Sequence, residues 1–344
     1  MLDMRVRWID SSRGLAILLV VLYHSGQWAS AAGYESAVWS EVNDILATIR
    51  LPLFFGISGL LAVKWVGRGW RELASSKIAT LAWLYLVWQA LTAVLYMVIP
   101  NVATPGKSNL SEIFTALATP VRPQGALWFL WALALFFVLT KATQAIPRWV
   151  VLPSAAALST VAISDVIDFG NVGWQGAAAN FLFFVFGCSY SSLITKFANR
   201  LQSLYAVGFI LLWLGFMLLA PSAVDALGLN MVARGLGMAA GIAFGYLLAS
   251  VTTLRWVGTH TLDYYLPHYL ILIALAHLAS VAPLPQESSV WLPGAFFVVT
   301  LGVCTVLHIL ARRFELLQAA YILPKWARER LATSGRSAPS ERGQ

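Results

Sequence analysis

Charge is scarce in this chain: 11% of its 344 residues are Asp, Glu, Lys or Arg, against roughly 25% in an ordinary water-soluble domain. With 59% of residues hydrophobic and a mean hydropathy of +0.73, there is too little polar surface to cover a soluble fold, which excludes that class. Carboxylates are the scarcer sign, 15 against 23 Lys and Arg, for a net charge of +8. A surplus of this kind can mark a nucleic-acid binder. Here the cations fall between apolar runs and in the C-terminal tail, with no basic patch interleaved with aromatics, and that excludes nucleic acid as a partner. Cysteine is almost missing. Cys188 and Cys304 each lie inside an apolar stretch, so there is no disulfide framework and no cysteine metal site, and both read as packing residues. The histidines are scattered too. His260, His277 and His308 show no helical-face ligand spacing, and no metal is expected.

What the sequence has in abundance is long apolar runs. They fall at about residues 12 to 33, 44 to 64, 78 to 100, 124 to 146, 148 to 167, 174 to 195, 203 to 221, 231 to 251, 262 to 283 and 291 to 311, each near the ~20 residues that cross a bilayer as a helix. The fold class implied is all-α, a polytopic integral membrane bundle of about ten transmembrane helices with both termini cytoplasmic. Orientation follows from the cations. A cytoplasmic N-terminus puts every Lys and Arg of the 23 on the cytoplasmic side except Arg50, Lys107, Arg122 and Arg234, whereas the opposite assignment inverts the positive-inside bias. Pro147 and Pro153 leave open whether residues 124 to 167 form two spans or one bent re-entrant element, so nine or eleven spans are alternatives.

Three regions follow: a cytoplasmic N-terminal segment (1–11), a membrane domain (12–311) and a basic cytoplasmic tail (312–344), polar and expected to be disordered from about Ala332 onward. The first run has a rival reading. Arg5, Arg7 and Arg13 before apolar residues, then small residues at 29 to 32, resemble a signal peptide. Tyr23, His24 and Ser25 interrupt it where such a signal is most apolar, so a retained helix is expected. Gly237, Gly241 and Gly245 recur every four residues, a stripe that lets membrane helices approach closely. Neither that stripe nor Gly235 is a dinucleotide fingerprint, since no strand precedes it.

Ionisable side chains inside the runs are the candidate chemistry, because each costs a few kcal/mol or more in hydrocarbon. Arg13 and His24 are eleven positions apart, which at about 100° per residue returns to one helix face about 16 Å further along the axis. A cation near the cytoplasmic boundary and an imidazole near midplane suit an anionic cytoplasmic donor and a proton handled deeper in. An orientation anchor and a hydrogen-bonded core histidine explain the same residues equally well. Arg50, just before Pro52, either pairs with an acid such as Asp44 or faces a cavity for the acceptor. Arg122 lies near Trp128 and Trp131 on the outer side. Flat aromatic faces and forked donors hold sugars, though tryptophan is also ordinary at a membrane interface. Ser58, between Gly56 and Gly59, reads as packing rather than as a nucleophile.

At this point the sequence resembles a known family, the membrane-bound acyltransferase family 3. The match opens with WIDSSRGLAILLVVLYH at 8 to 24 and continues with LPLFFGISGLL at 51 to 61, ALWFLWAL at 126 to 133, FFVFGCSY at 183 to 190 and VGTHTLDYYLPHYLIL at 257 to 272. The first two phrases together are fairly specific; the others are apolar. The resemblance implies acyl-CoA as donor and an essential first-helix histidine, a role that carries over to His24 with Arg13 beside it. It also implies a donor-binding basic stretch after the second span, here Arg68, Arg71 and Lys77, spaced more widely than the clustered arginines of relatives. His268, beside the helix-breaking Pro267, and Asp10, within the first motif, are secondary candidates.

The function expected is transfer of an acyl group, acetyl for preference, from cytoplasmic acyl-CoA to a hydroxyl of an extracytoplasmic or membrane-embedded sugar or glycolipid. His24 would act as general base or as a covalent acyl carrier. With no soluble catalytic module recognisable in the chain, the acceptor is expected to reach the bilayer itself, in a bacterial cytoplasmic membrane. The alternative is a proton-coupled transporter of a small polar solute, although no internal repeat relates the two halves. Orientation is checked directly: reporters fused after Lys77, after Arg200 and in the tail should read cytoplasmic, and those in the 101 to 123 and 284 to 290 loops external. A cytoplasmic signal from the loop holding Lys107 would overturn it.

Overall fold

The computed structural model describes residues 4–224 and 226–333, and among them it contains helices and no strand. In hydrocarbon every backbone N–H and C=O must be satisfied within its own segment, and runs of Leu, Ala, Val and Phe meet that demand as helices. In chain order the main elements are α1 (Met4–Ala31), α2 (Ala37–Val66), α3 (Trp70–Val98), α4 (Asn109–Leu117) and α5 (Trp128–Ala142). They continue with α6 (Arg148–Ile163), α7 (Val172–Ser189), α8 (Ser191–Arg200), α9 (Ser203–Leu219) and α10 (Leu229–Leu247). The last are α11 (Thr252–Thr259), α12 (Thr261–Val281), α13 (Leu292–Arg313) and α15 (Lys325–Thr333), with the short α14 (Glu315–Gln318) between the final two.

Five of these, α1 from Arg7, α2, α3, α12 and α13, are long and apolar enough to cross a membrane, and α7 with α8 makes a sixth if that pair, bent by 76°, is one span. The chain is therefore a multi-pass membrane protein. Each expected apolar run contains a helix, but α5, α6 and α9 have 15, 16 and 17 residues, and Asn230 and Arg234 dilute the apolarity of α10. The count of ten rests on the sequence runs. Residues 124 to 167 fold as two helices, with Pro147 at the entry of α6 and Pro153 inside its second turn. Residues 4 to 11, within the expected N-terminal segment, are helical and form the first turns of α1. Part of the tail is helical, as α14 and α15; the residues from 334 onward that were expected to be disordered lie outside the described residues.

α1 runs through the middle of the bundle, against α2, α10, α11, α12 and α13, while α2 packs mainly on α7 and α10. Small residues make this possible. A Cβ on Gly59 would overlap the Phe184 carbonyl and one on Gly187 the Gly56 carbonyl, so α2 and α7 touch backbone to backbone. The expected stripe on α10 packs in the same way: Gly237 sits against the Thr48 carbonyl of α2 and Gly245 against Ser12 of α1. Around these contacts lies an aromatic core in which Phe54 stacks on Phe129 at 4.5 Å and Phe136 meets Phe55 at 5.0 Å.

Packing this close has a measurable consequence. Gly187→Ala should destabilise the purified protein by the ~1 to 3 kcal/mol typical of overpacking and so lower its melting temperature, while Gly302→Ala, on α13 with open space around it, should be neutral or slightly stabilising. Equal melting of the two variants would contradict the α2–α7 contact.

Candidate active site

The stripe Arg13, Ile17, Val20 and His24 runs along one face of α1, as the 3.6-residue period requires. Its two ends are polar and its middle is packed: Ile17 is fully buried and Val20 nearly so. At the first end the Arg13 Nη2 donates to Thr261 Oγ1 at 2.9 Å, and Nη1 lies 3.9 Å from Asp10 Oδ1. Asp10 is thus a partner that orients Arg13. Lys77 of α3 is close enough to Arg13 and Lys64 to feel their charge. The Trp65 ring gathers cations: Arg68 at 4.4 Å, Lys77 at 4.6 Å and Lys64 at 5.6 Å from its centroid. Arg68 is also bonded to Glu72 one turn on, and Arg71 is exposed. Arg13, Arg68 and Lys77 therefore share one end of the bundle.

His24 occupies the other end. Its Nδ1 is 2.9 Å from Gln27 Oε1, three residues along α1. An amide oxygen only accepts, so the proton sits on Nδ1 and Nε2 keeps its lone pair. The ring is enclosed by Tyr23 at 4.8 Å, His268 at 5.3 Å and Tyr269 at 5.5 Å between centroids. His268 owes its place to the break in α12. Pro267 has no N–H to give, the helix restarts at His268, and the His268 Nδ1–H donates to the Tyr265 carbonyl at 2.5 Å. Its Nε2 is buried without a hydrogen-bond partner in the protein. Tyr265 in turn donates its hydroxyl to the Ala126 carbonyl, which ties the break to the segment leading into α5.

His24 opens onto a cavity of about 330 Å³ walled by α1, α2, α6, α7, α10 and α12 and by the start of α5. Trp128 forms part of its wall, with Gln175, Asn180, Arg50 and Arg234 as its main polar groups. Arg50 is 6% exposed, its guanidinium carbon lies 3.9 Å over the Tyr23 ring, and its Nη1 has no hydrogen-bond partner. Arg50 lines this cavity and makes no salt bridge with Asp44, which lines a neighbouring cavity and acts on Arg50 electrostatically. Arg122 stands apart, exposed, with Nη2 on the Gly170 carbonyl at 3.3 Å and no part in the cavity wall. Ser58 does not reach the cavity either.

Sequence reasoning missed Gln27, Asn180 and Arg234. Gln27 carried a signal, the three-residue spacing that puts it over His24 on a helix face. Arg234 carried one too, as a lone cation within an apolar helix. It also missed a polar cluster at the α12–α13 contact, where donor atoms of His260, Asp263 and His308 lie within 4.8 Å of one another. Separation in the chain hid this grouping. Its donors are already engaged: His308 Nδ1 bonds Asp263 at 2.7 Å, His260 Nδ1 bonds the Trp256 carbonyl at 2.8 Å, and Arg312 points Nη2 at His260 Nε2 from 3.4 Å. A guanidinium beside His260 Nε2 opposes a metal ion at that atom.

The fold defines the class as an all-helical multi-pass membrane protein with a polar cavity inside its bundle. The chain belongs to the membrane-bound acyltransferase family 3: the family's profile, described as an acyltransferase domain, matches residues 6–309. It is 26% identical over 339 residues to the inner membrane protein YcfT of Escherichia coli, covering 90% of this chain and 92% of that protein. It is also 28% identical over 173 residues to the nodulation protein NolL of Mesorhizobium japonicum, covering 46% of this chain and 43% of that one. No solved structure matches it significantly.

The engaged donors of the histidine cluster make a prediction about metals. Dialysis against a chelator, or addition of zinc, should leave the melting temperature unchanged, since a bound structural zinc would contribute strongly to folding. A drop on chelation would place a metal at His260, Asp263 and His308.

Proposed function

We propose that this chain, in a bacterial cytoplasmic membrane, transfers an acyl group, acetyl for preference, from cytoplasmic acyl-CoA to a hydroxyl of a sugar or glycolipid presented from the other side. The observation that carries this reading is His24, with its Nδ1 proton held by Gln27 at 2.9 Å and its ring on the wall of the polar cavity. A base so fixed has one nitrogen free to take a proton. The donor's phosphates would meet Arg13, Lys77 and Arg68, with Arg71 nearby, through charge-assisted hydrogen bonds.

In the reaction proposed, the acceptor hydroxyl gives its proton to His24 Nε2 as its oxygen attacks the thioester carbonyl carbon. The tetrahedral intermediate then collapses, the C–S bond breaks, and the leaving sulfur takes the proton from the His24 imidazolium. An ester and the free CoA thiol leave, and His24 is neutral again. The rival reading as a proton-coupled transporter draws on the same intramembrane histidines, and it predicts that purified protein leaves acetyl-CoA intact.

General-base catalysis is typically worth 10² to 10⁴ in rate. His24→Gln, similar in size but unable to take a proton at neutral pH, should insert and bind acyl-CoA as wild type does and lose transfer by about that factor. Gln27→Leu should give a smaller loss through the wrong tautomer, and Arg13→Glu should weaken donor binding, with Arg13→Lys better tolerated. Near-normal turnover in His24→Gln would make the imidazole structural and move the base to His268.

A further inference from the structure

The His24 cavity carries two cations with no carboxylate paired to them among the described residues: Asp44 acts on Arg50 only electrostatically, from the wall of the neighbouring cavity. Arg50 and Arg234 both line it, and among the described residues neither forms a salt bridge. Asp165, the carboxylate on the wall, is exposed at the rim and accepts from Gln175 Nε2 at 3.0 Å. Arg50 is 6% exposed with Nη1 unpartnered, a costly state for a guanidinium within a bilayer. Such a cost is tolerated where a ligand offsets it. Across the same cavity the buried Asn180 Oδ1 also lacks a partner, while its Nδ2 is taken by the Gly176 carbonyl at 2.8 Å. An unfilled acceptor next to two unfilled cations fits a ligand carrying hydroxyls beside an oxyanion.

We propose that the acceptor is anionic: a carboxylate or phosphate on it is held by Arg50 and Arg234, which sets a neighbouring hydroxyl against His24. This rests on the acyl-transfer reading, because it takes the His24 cavity as the acceptor's. The bidentate fork of a guanidinium suits either oxyanion, and Asn180 Oδ1 accepts from a second hydroxyl of the same ligand. The face of Trp128 on the wall offers a flat surface to a sugar ring. A neutral sugar would leave the buried Arg50 guanidinium without an anion, so the cavity discriminates against it by the penalty of an unpaired buried charge.

The test uses the full chain in discs of phosphatidylcholine, with glucuronate, glucose 1-phosphate and glucose as probes, followed by calorimetry and thermal shift. Both anions should bind and raise the melting temperature, and glucose at the same concentration should not. Arg50→Gln and Arg234→Gln should each weaken anion binding by about tenfold or more, with Arg50→Lys weakened less. Each Gln variant removes an uncompensated cation, so without ligand it should melt no lower than wild type, which separates lost binding from misfolding. Glucose binding as well as glucuronate, no anion binding at all, or unchanged affinity in the arginine variants would overturn the proposal. Displacement of the probes when phosphatidylglycerol is added to the discs would assign the oxyanion to a lipid-borne phosphate, and no displacement to a soluble sugar acid or phosphate. Acetyl-CoA consumption is read separately. Anion binding through both arginines without consumption would sink the acyl-transfer reading and leave the anion site standing; consumption without anion binding would do the reverse.

Discussion

Backbone lies against backbone in the centre of this bundle, and the geometry of the polar cavity depends on it. Gly59 and Gly187 bring α2 onto α7, Gly14 and Gly258 bring α1 onto α11, and Gly237 brings α10 onto α2, each leaving no room for a Cβ. Without a hydrophobic force between helices in lipid, such close van der Waals contact is what holds them. The result is a fixed distance between α1, which carries His24, and the helices that carry Arg50, Arg234 and Asn180. A methyl group at any of these glycines would move a catalytic candidate away from its neighbours before it touched any chemistry.

Within that frame the polar groups are few, and each is specified. In a low dielectric an unpaired polar atom is expensive and a paired one is strong. His24 is held by Gln27, His268 by the carbonyl that the Pro267 break releases, and Arg13 by Thr261 and Asp10. Three of the buried side-chain atoms without a partner, His268 Nε2, Arg50 Nη1 and Asn180 Oδ1, lie around His24 and its cavity; others are spread through the bundle, as at Thr140 and Thr300. Leftover donors and acceptors grouped in this way are what a binding site looks like before its ligand arrives.

Much of the bundle was legible in the sequence because hydropathy is a local signal. The positions of the apolar runs, the Gly237 to Gly245 stripe and the shared face of Arg13 and His24 need only the 3.6-residue period. The seams were less legible: α1 begins well before residue 12, and the bend of 76° between α7 and α8 has no proline or charge to announce it. Partnerships between distant helices were not legible at all. Nothing in a one-dimensional reading sets Arg234 beside Arg50, Asn180 opposite them, or His260 near His308, since each depends on which helices touch. Arg122, which looked suited to a sugar by its neighbours in sequence, is held away by the Gly170 carbonyl.

The central claim is that donor and acceptor meet at His24, and it is tested most directly by a structure of the protein with a non-reactive thioether analogue of acetyl-CoA bound. The prediction is an analogue with its phosphates against Arg13 and Lys77 and its acyl carbonyl beside the His24 cavity, within a few ångströms of where a hydroxyl bonded to Nε2 would sit, near the ~3 to 3.5 Å of a productive approach. An acyl group lodged elsewhere, such as the separate cavity lined by Trp28, Gln89 and Tyr96, with His24 remote from it, would contradict the claim.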